Sequence, residues 1–220
     1  MPDTLTIQVC GEALQLLPER GIFWERRETL FIADPHFGNT ERLHAPPDMP
    51  AEGNTAVDLA RLDQILKRTH AQHLVILGDL IHARGGQTPR TLALLQAWRE
   101  SHPALHILLV RGNHDHVTGD PPTELGIQCV DEPYSYGPFA LRHYPVPNSS
   151  GVTLAGHLHP MVRYTDRETA WEPLSVFVRR DKVLILPAFG SFLRQPALIP
   201  LRNETVYIIN KARVSLYAST

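Results

Sequence analysis

The 220-residue chain is 43% hydrophobic and 20% charged with a net charge of −2, so it can bury a full core and is too apolar to be disordered. This mildly acidic balance excludes non-specific duplex binding as a chain-wide property, and any affinity for nucleic acid must be local. Two cysteines without clustered spacing exclude a disulfide framework and a zinc finger, and both are expected as small core residues.

At the N-terminus, Met1-Pro2-Asp3-Thr4 puts no basic patch ahead of an apolar stretch, and no later run approaches the roughly 20 residues that span a bilayer. The expectation is one cytoplasmic domain over residues 1–220, with no membrane partner. Leu5-Thr6-Ile7-Gln8-Val9 and Leu14-Gln15-Leu16 alternate apolar and polar residues, which predicts a small antiparallel start with a turn near Gly11-Glu12. From residue 29 to 110 the pattern reads strand, helix, strand, helix, strand. The apolar runs are Leu30–Ala33, Leu74–Leu77 and Ile107–Val110. A helix over 55–69 puts Leu59, Leu62, Ile65 and Leu66 on one face, with Asn54 or Thr55 as cap. A second runs from Pro89 to Glu100, capped by Thr88, with proline at the first position and Leu92, Leu95 and Trp98 inward.

That alternation predicts parallel strands joined by right-handed crossovers. After about residue 127 helical periodicity fades and short strands dominate, among them Phe139–Leu141 and Val152–Ala155, so a second, largely antiparallel sheet is expected to pack on the first. Polar stretches over 39–53 and 160–174 follow two of the motifs below and read as rim loops.

Each of five apolar runs is followed by metal-seeking side chains: Asp34 and His36, Asp79, Asn113, His143, then His157 and His159. Five strands thus deliver polar ends to one edge, where open sheets build ligand sites. Asp34-Pro35-His36 and Gly78-Asp79 are individually weak signals. Gly112-Asn113-His114-Asp115 is sharper, and Gly156-His157-Leu158-His159 sharper still, because histidines at i and i+2 of extended chain project to the same side and can serve neighbouring ions. Seven of the 12 histidines (36, 82, 114, 116, 143, 157, 159) lie in or beside these motifs. The ordered set reads as a two-metal phosphoesterase. Two cations about 3.5–4 Å apart can activate a shared water and neutralise phosphoester oxygens. Carboxylate, amide and imidazole donors without thiolate favour manganese, iron or zinc.

The order of these motifs resembles that of the calcineurin-like metallophosphoesterases. The resemblance implies an α/β fold of two packed mixed β-sheets flanked by helices, a four-layer α-β-β-α sandwich. It further implies two divalent ions, with Mn2+ the first choice. Asp34, His36 and His159 would hold one ion and Asn113, His143 and His157 the other, with Asp79 bridging. His114 is the expected acid for the leaving group. Asp115 has two readings, a partner that raises the pKa of His114 or a carboxylate that stabilises the turn. His82 and Arg84 lie just past Asp79 and are candidates for substrate contact.

Within the superfamily, Ile22-Phe23-Trp24, Gly78-Asp79-Leu80-Ile81-His82, Arg142-His143-Tyr144-Pro145, Gly156-His157-Leu158-His159-Pro160 and Leu186–Phe192 resemble the ligase-associated DNA damage response endonucleases of the PdeM group. This implies a DNA endonuclease or phosphodiesterase in repair, acting on single-stranded or damaged DNA beside a repair ligase or helicase. Arg42, Arg84, Arg163, Arg167 and Trp171 are then candidate DNA contacts. Two other readings stand beside it: a phosphohydrolase of nucleotides or other small phosphodiesters, which suits the acidic chain, and a non-catalytic scaffold, which the intact ligand set disfavours.

Overall fold

The computed structural model describes residues 3–39, 53–149, 151–166, 169–191 and 203–217. Strands β1 (Leu5–Val9), β2 (Glu12–Leu16), β3 (Ile22–Trp24) and β4 (Thr29–Ile32) pair antiparallel in succession. The first connection is a two-residue turn at Cys10 and Gly11, both with positive φ (53° and 78°), because Val9 pairs directly with Glu12. That turn exposes Cys10, against the expectation of a core cysteine, while Cys129 is half-buried.

From β4 onward the sheet becomes parallel. Helix α1 (Gly53–Thr69) leads to β5 (His73–Leu77), and the short α2 (Ala83–Gly86) and α3 (Pro89–Glu100) lead to β6 (His106–Val110). After the single-turn α4 (Asn113–Thr118) comes β7 (Ile127–Val130), and β4 to β7 pair parallel in chain order. The second sheet contains β8 (Tyr134–Tyr136), β9 (Phe139–Leu141), β10 (Val152–Ala155), β12 (Thr169–Arg180), β13 (Val183–Ile185), β14 (Glu204–Asn210) and β15 (Arg213–Tyr217), with β11 (Met161–Asp166) paired to β12. It is largely antiparallel, as expected, and mixed: among the described residues only β10 pairs parallel, with β9 and β13, where long connections return each strand in the same direction.

The apolar runs are buried on both faces, and their period of two sorts them. Leu30, Ile32, Leu74, Ile76, Ile107 and Leu109 pack against Leu59, Leu62, Ile65 and Leu66 of α1 and Leu95 of α3. Phe31, Ala33, Val75, Leu77, Leu108 and Val110 point the other way, onto Phe139, Leu141, Leu154, Phe177 and Leu184 of the second sheet. Each such side chain contributes about 1.5–3 kcal/mol by leaving water, which drives the two sheets face to face. Trp24 spans the seam: its ring meets Phe139 edge-on at 5.2 Å, and its indole N–H donates to Glu12 Oε2 at 2.9 Å. The expected sandwich of two mixed sheets with helices against it is thus present. Thr88 caps α3 as expected, its Oγ1 accepting from Thr91 N at 3.1 Å. Thr55 does not cap its helix; its Oγ1 accepts from Gly38 N at 2.9 Å and ties α1 to the loop after β4.

Candidate metal centre

Parallel strands β4, β5 and β6 of one sheet and β9 and β10 of the other all end at the same rim, and all seven predicted ligands lie just past those ends. The loops there turn sharply. Asp34, His36, Asp79, His157 and His159 carry φ of 50°, 45°, 53°, 68° and 44°, a left-handed conformation that costs a non-glycine residue about 1–3 kcal/mol. Packing and backbone bonds hold them there. His36 N donates to Asp79 O at 3.0 Å, His82 N to Phe37 O at 2.9 Å and Gly156 N to His143 O at 3.1 Å.

The two aspartates are used alike. Asp34 Oδ2 accepts from His157 N at 2.8 Å, and its Oδ1 faces His143 Nδ1 at 3.5 Å and His159 Nε2 at 3.7 Å. Asp79 Oδ1 accepts from His114 N at 2.8 Å, and its Oδ2 lies 3.6 Å from both His36 Nε2 and His143 Nε2. In each, one oxygen fastens the carboxylate to a neighbouring motif and the other is turned toward imidazoles. Close approach explains the glycines before the ligands. Gly78, at φ +86°, leaves room for the His143 ring, and an added Cβ at Gly112 would overlap the Asp79 carboxylate. Gly156 likewise faces the carboxylate of Asp34.

Unsatisfied atoms test whether cations fit here. Asp34 Oδ1, His36 Nε2 and His159 Nδ1 are buried without a hydrogen-bond partner, which is costly for polar atoms unless something else meets them. Asp34, His36 and His159 offer ligand atoms all within 4.8 Å of one another, and so do Asp34, Asp79 and His143. His143 Nδ1 lies 3.2 Å from Leu77 O, an acceptor only, so that bond puts the proton on Nδ1. Its Nε2 then faces Asn113 Oδ1 at 2.9 Å and His157 Nδ1 at 3.0 Å. A proton on His157 Nδ1 satisfies the His143 Nε2 lone pair in one tautomer, and a cation can take that proton's place in the other. Burial, reinforced by surrounding imidazoles, holds His36 at a pKa of about 2, and burial also lowers that of His157, so both stay neutral as metal ligands must. The donor set therefore fits divalent cations.

Of the remaining predicted residues, His114, His82 and Asp115 lie around this core. His114 opens α4 with its ring 4.7 Å from that of His36, and His82 Nδ1 lies 3.1 Å from His36 Nδ1. His36, His82 and His114 thus form a third close group of nitrogens. Asp115 is buried, and its carboxylate accepts from Gly112 N, Asp79 N and Leu80 N at 2.8, 2.7 and 3.1 Å. Of its two sequence readings, these contacts match the one that stabilises the turn. Arg84 has its backbone in α2, but its side chain lies outside the described residues, as do those of Arg42, Arg167 and Trp171. Arg163 is exposed on β11.

One group at the site escaped sequence reasoning. Phe189 N donates to Ala33 O at 2.7 Å and Gly190 N to Asp34 O at 3.2 Å, so the segment after β13 backs the first ligand. From the other side, Ser191 N and Oγ donate to Asp58 at 2.9 and 2.5 Å, and Arg20 Nη1 donates to Gly190 O at 3.1 Å. Arg61 pairs with Asp58 at 2.8 Å, donates to Phe189 O and lies 4.3 Å over the Phe189 ring. Burial pushes the Asp58 carboxyl up and the Arg61 guanidinium down, so this pair is held at an electrostatic cost. The sole signal for it in the sequence was a charged i, i+3 pair beside the apolar face of α1.

A sequence model of the calcineurin-like phosphoesterases matches residues 28–205. The crystal structure of Pseudomonas putida nuclease MPE is 38% identical, with a TM-score of 0.84 over 98% of this chain and 100% of that one. YfcE, a phosphoesterase from E. coli, is 16% identical, with a TM-score of 0.37 over 83% of this chain and 88% of that one. No curated protein sequence matches the chain.

Proposed function

The chain belongs to the calcineurin-like phosphoesterase family, and on that premise we propose that this metal-dependent hydrolase cleaves phosphodiester bonds of single-stranded or damaged DNA. The observation that carries the reading is the buried triad of Asp34, His36 and His159, each with one polar atom lacking a hydrogen-bond partner, beside a second cluster around His143. A nuclease as structural neighbour over nearly the whole chain supports nucleic acid as the substrate class.

In this reading Asp34, His36 and His159 would hold one divalent ion and Asn113, His143 and His157 the other, with Asp79 available to both. The donor set suits manganese, iron or zinc, and manganese is the first choice by resemblance to the calcineurin-like enzymes. When bound, the ions supply Lewis acidity toward the phosphoester and a nucleophile at neutral pH. The chain's own residues do the rest. His114 gives a proton to the departing oxygen, and Asp115 positions it by fixing the turn on which it sits. His82 and Arg84 contact the substrate phosphate. The enzyme works as one catalytic domain in the cytoplasm, beside a repair ligase or helicase; this last part rests on sequence resemblance to the PdeM group.

The net charge of −2 favours a second reading, hydrolysis of nucleotides or other small phosphodiesters. A substrate panel with manganese decides between them: single-stranded DNA, duplex DNA, cyclic dinucleotides and an aryl phosphodiester. Cleavage of single-stranded DNA is expected. Turnover confined to the small esters would leave the second reading standing.

A further inference from the structure

We infer that Tyr144 is a platform on which one unpaired base of the nucleic-acid strand stacks while the neighbouring phosphate sits at the metal centre. This rests on the nucleic-acid reading above and names the form of the strand. Among the described residues, five large apolar side chains are exposed, and Tyr144 (39%) and Val146 (47%) both lie in the stretch that follows the expected ligand His143. Tyr144 alone of the five is aromatic. A single exposed apolar residue is ordinary on a protein surface, so it is the position of this ring beside the candidate site that carries the argument.

The ring is placed beside the chemistry. Its centroid lies 4.5 Å from the His157 ring and 5.0 Å from the His143 ring, edge to face at 61° and 72°. Its backbone is fixed as well. Glu132 Oε2 accepts from His143 N at 2.6 Å and from Tyr144 N at 3.1 Å, and Val146 N donates to Tyr144 O at 2.8 Å. Pro145 and Pro147 restrict the chain further. A pre-ordered ring with an exposed surface spends little entropy on binding, and a phosphate seated at the metal centre beside His157 brings its own nucleoside to that surface. Stacking on an aromatic ring accepts any base, since each has a π-face, but the base must be out of the duplex stack. Single-stranded or locally opened DNA meets that condition.

The test uses the full chain with manganese and two oligodeoxynucleotides, one carrying bases throughout and one abasic at the positions flanking the cut. The wild-type protein is expected to favour the base-bearing strand in kcat/KM by about 5- to 100-fold, mostly through KM. Tyr144→Ala should lose that discrimination and Tyr144→Phe should keep it. If Tyr144→Ala discriminates as the wild type does, whatever its absolute rate, the platform is refuted and the ring serves only to pack on His157. Equilibrium binding, read as anisotropy of a labelled strand, separates this from the nuclease reading. A wild-type protein that cuts neither strand overturns the nuclease reading, and the platform is then judged by binding alone, where equal affinities of wild type and Tyr144→Ala refute it.

Discussion

Replacing Asp58 with alanine isolates the contribution of the support behind Asp34. The carboxylate is 3% exposed and carries three contacts, to Arg61 at 2.8 Å and to Ser191 N and Oγ at 2.9 and 2.5 Å. Without it, the Arg61 guanidinium stays inside, 20% exposed, with only the more distant Glu19 as counter-charge. Breaking a buried pair in this way costs about 3–5 kcal/mol, and the residual exposure of Arg61 puts the expectation at about 3 kcal/mol. In a protein of this size that lowers Tm by about 6–12 °C. Calorimetric melting of the metal-free protein reads the change, and manganese titration reads its effect at the rim, where looser support of Asp34 should weaken binding. The double variant Asp58→Leu with Arg61→Met removes both charges and should recover most of the Tm without restoring manganese affinity, because Ser191 and Phe189 O remain without their partners. A single variant that melts within about 2 °C of wild type, or a double variant no more stable than the single, refutes the argument.

Three further expectations follow from the same geometry. Gly78→Ala places a Cβ at φ +86° against the His143 ring, so it should cost at least 1–2 kcal/mol of strain and abolish binding of one ion, as counted by isothermal titration. His114→Ala should retain full metal content while turnover falls about 100-fold or more; undiminished turnover removes it as the acid. The pH dependence has a defined sign. His36, with a folded pKa of about 2 against 6.5 in the open chain, is protonated first in the unfolded state. The stability that it and His157 contribute in metal-free protein is therefore complete above pH 6.5 and declines as pH falls below it, and equal urea midpoints at pH 7.5 and 5.5 would contradict this.

Much of this was legible because the apolar runs and the polar residues after them obey short-range rules. A run such as Leu74–Leu77, short and bounded by His73 and Gly78, reads as a strand buried on both faces, and the side chain that follows emerges at an edge. What the sequence hid depends on contacts between distant segments. Nothing near Asp58 announces that its carboxylate meets Ser191, 133 residues away. The second sheet is mixed and largely antiparallel as expected, but which of its strands pair parallel was not legible, because direction is decided by the crossover, not by the strand. Cys10 looked like a core residue because hydrophobicity was weighed without the φ > 0 that a two-residue turn imposes.

The glycines at the rim tie the loops into one another. The loop after β9 occupies space left by Gly78 after β5, the carboxylate after β5 occupies space left by Gly112 after β6, and the carboxylate after β4 occupies space left by Gly156 after β10. Any side chain larger than hydrogen at one of these three positions would collide with a group carried by a different strand, so the shape of the cup is set jointly by loops from both sheets rather than by any one of them.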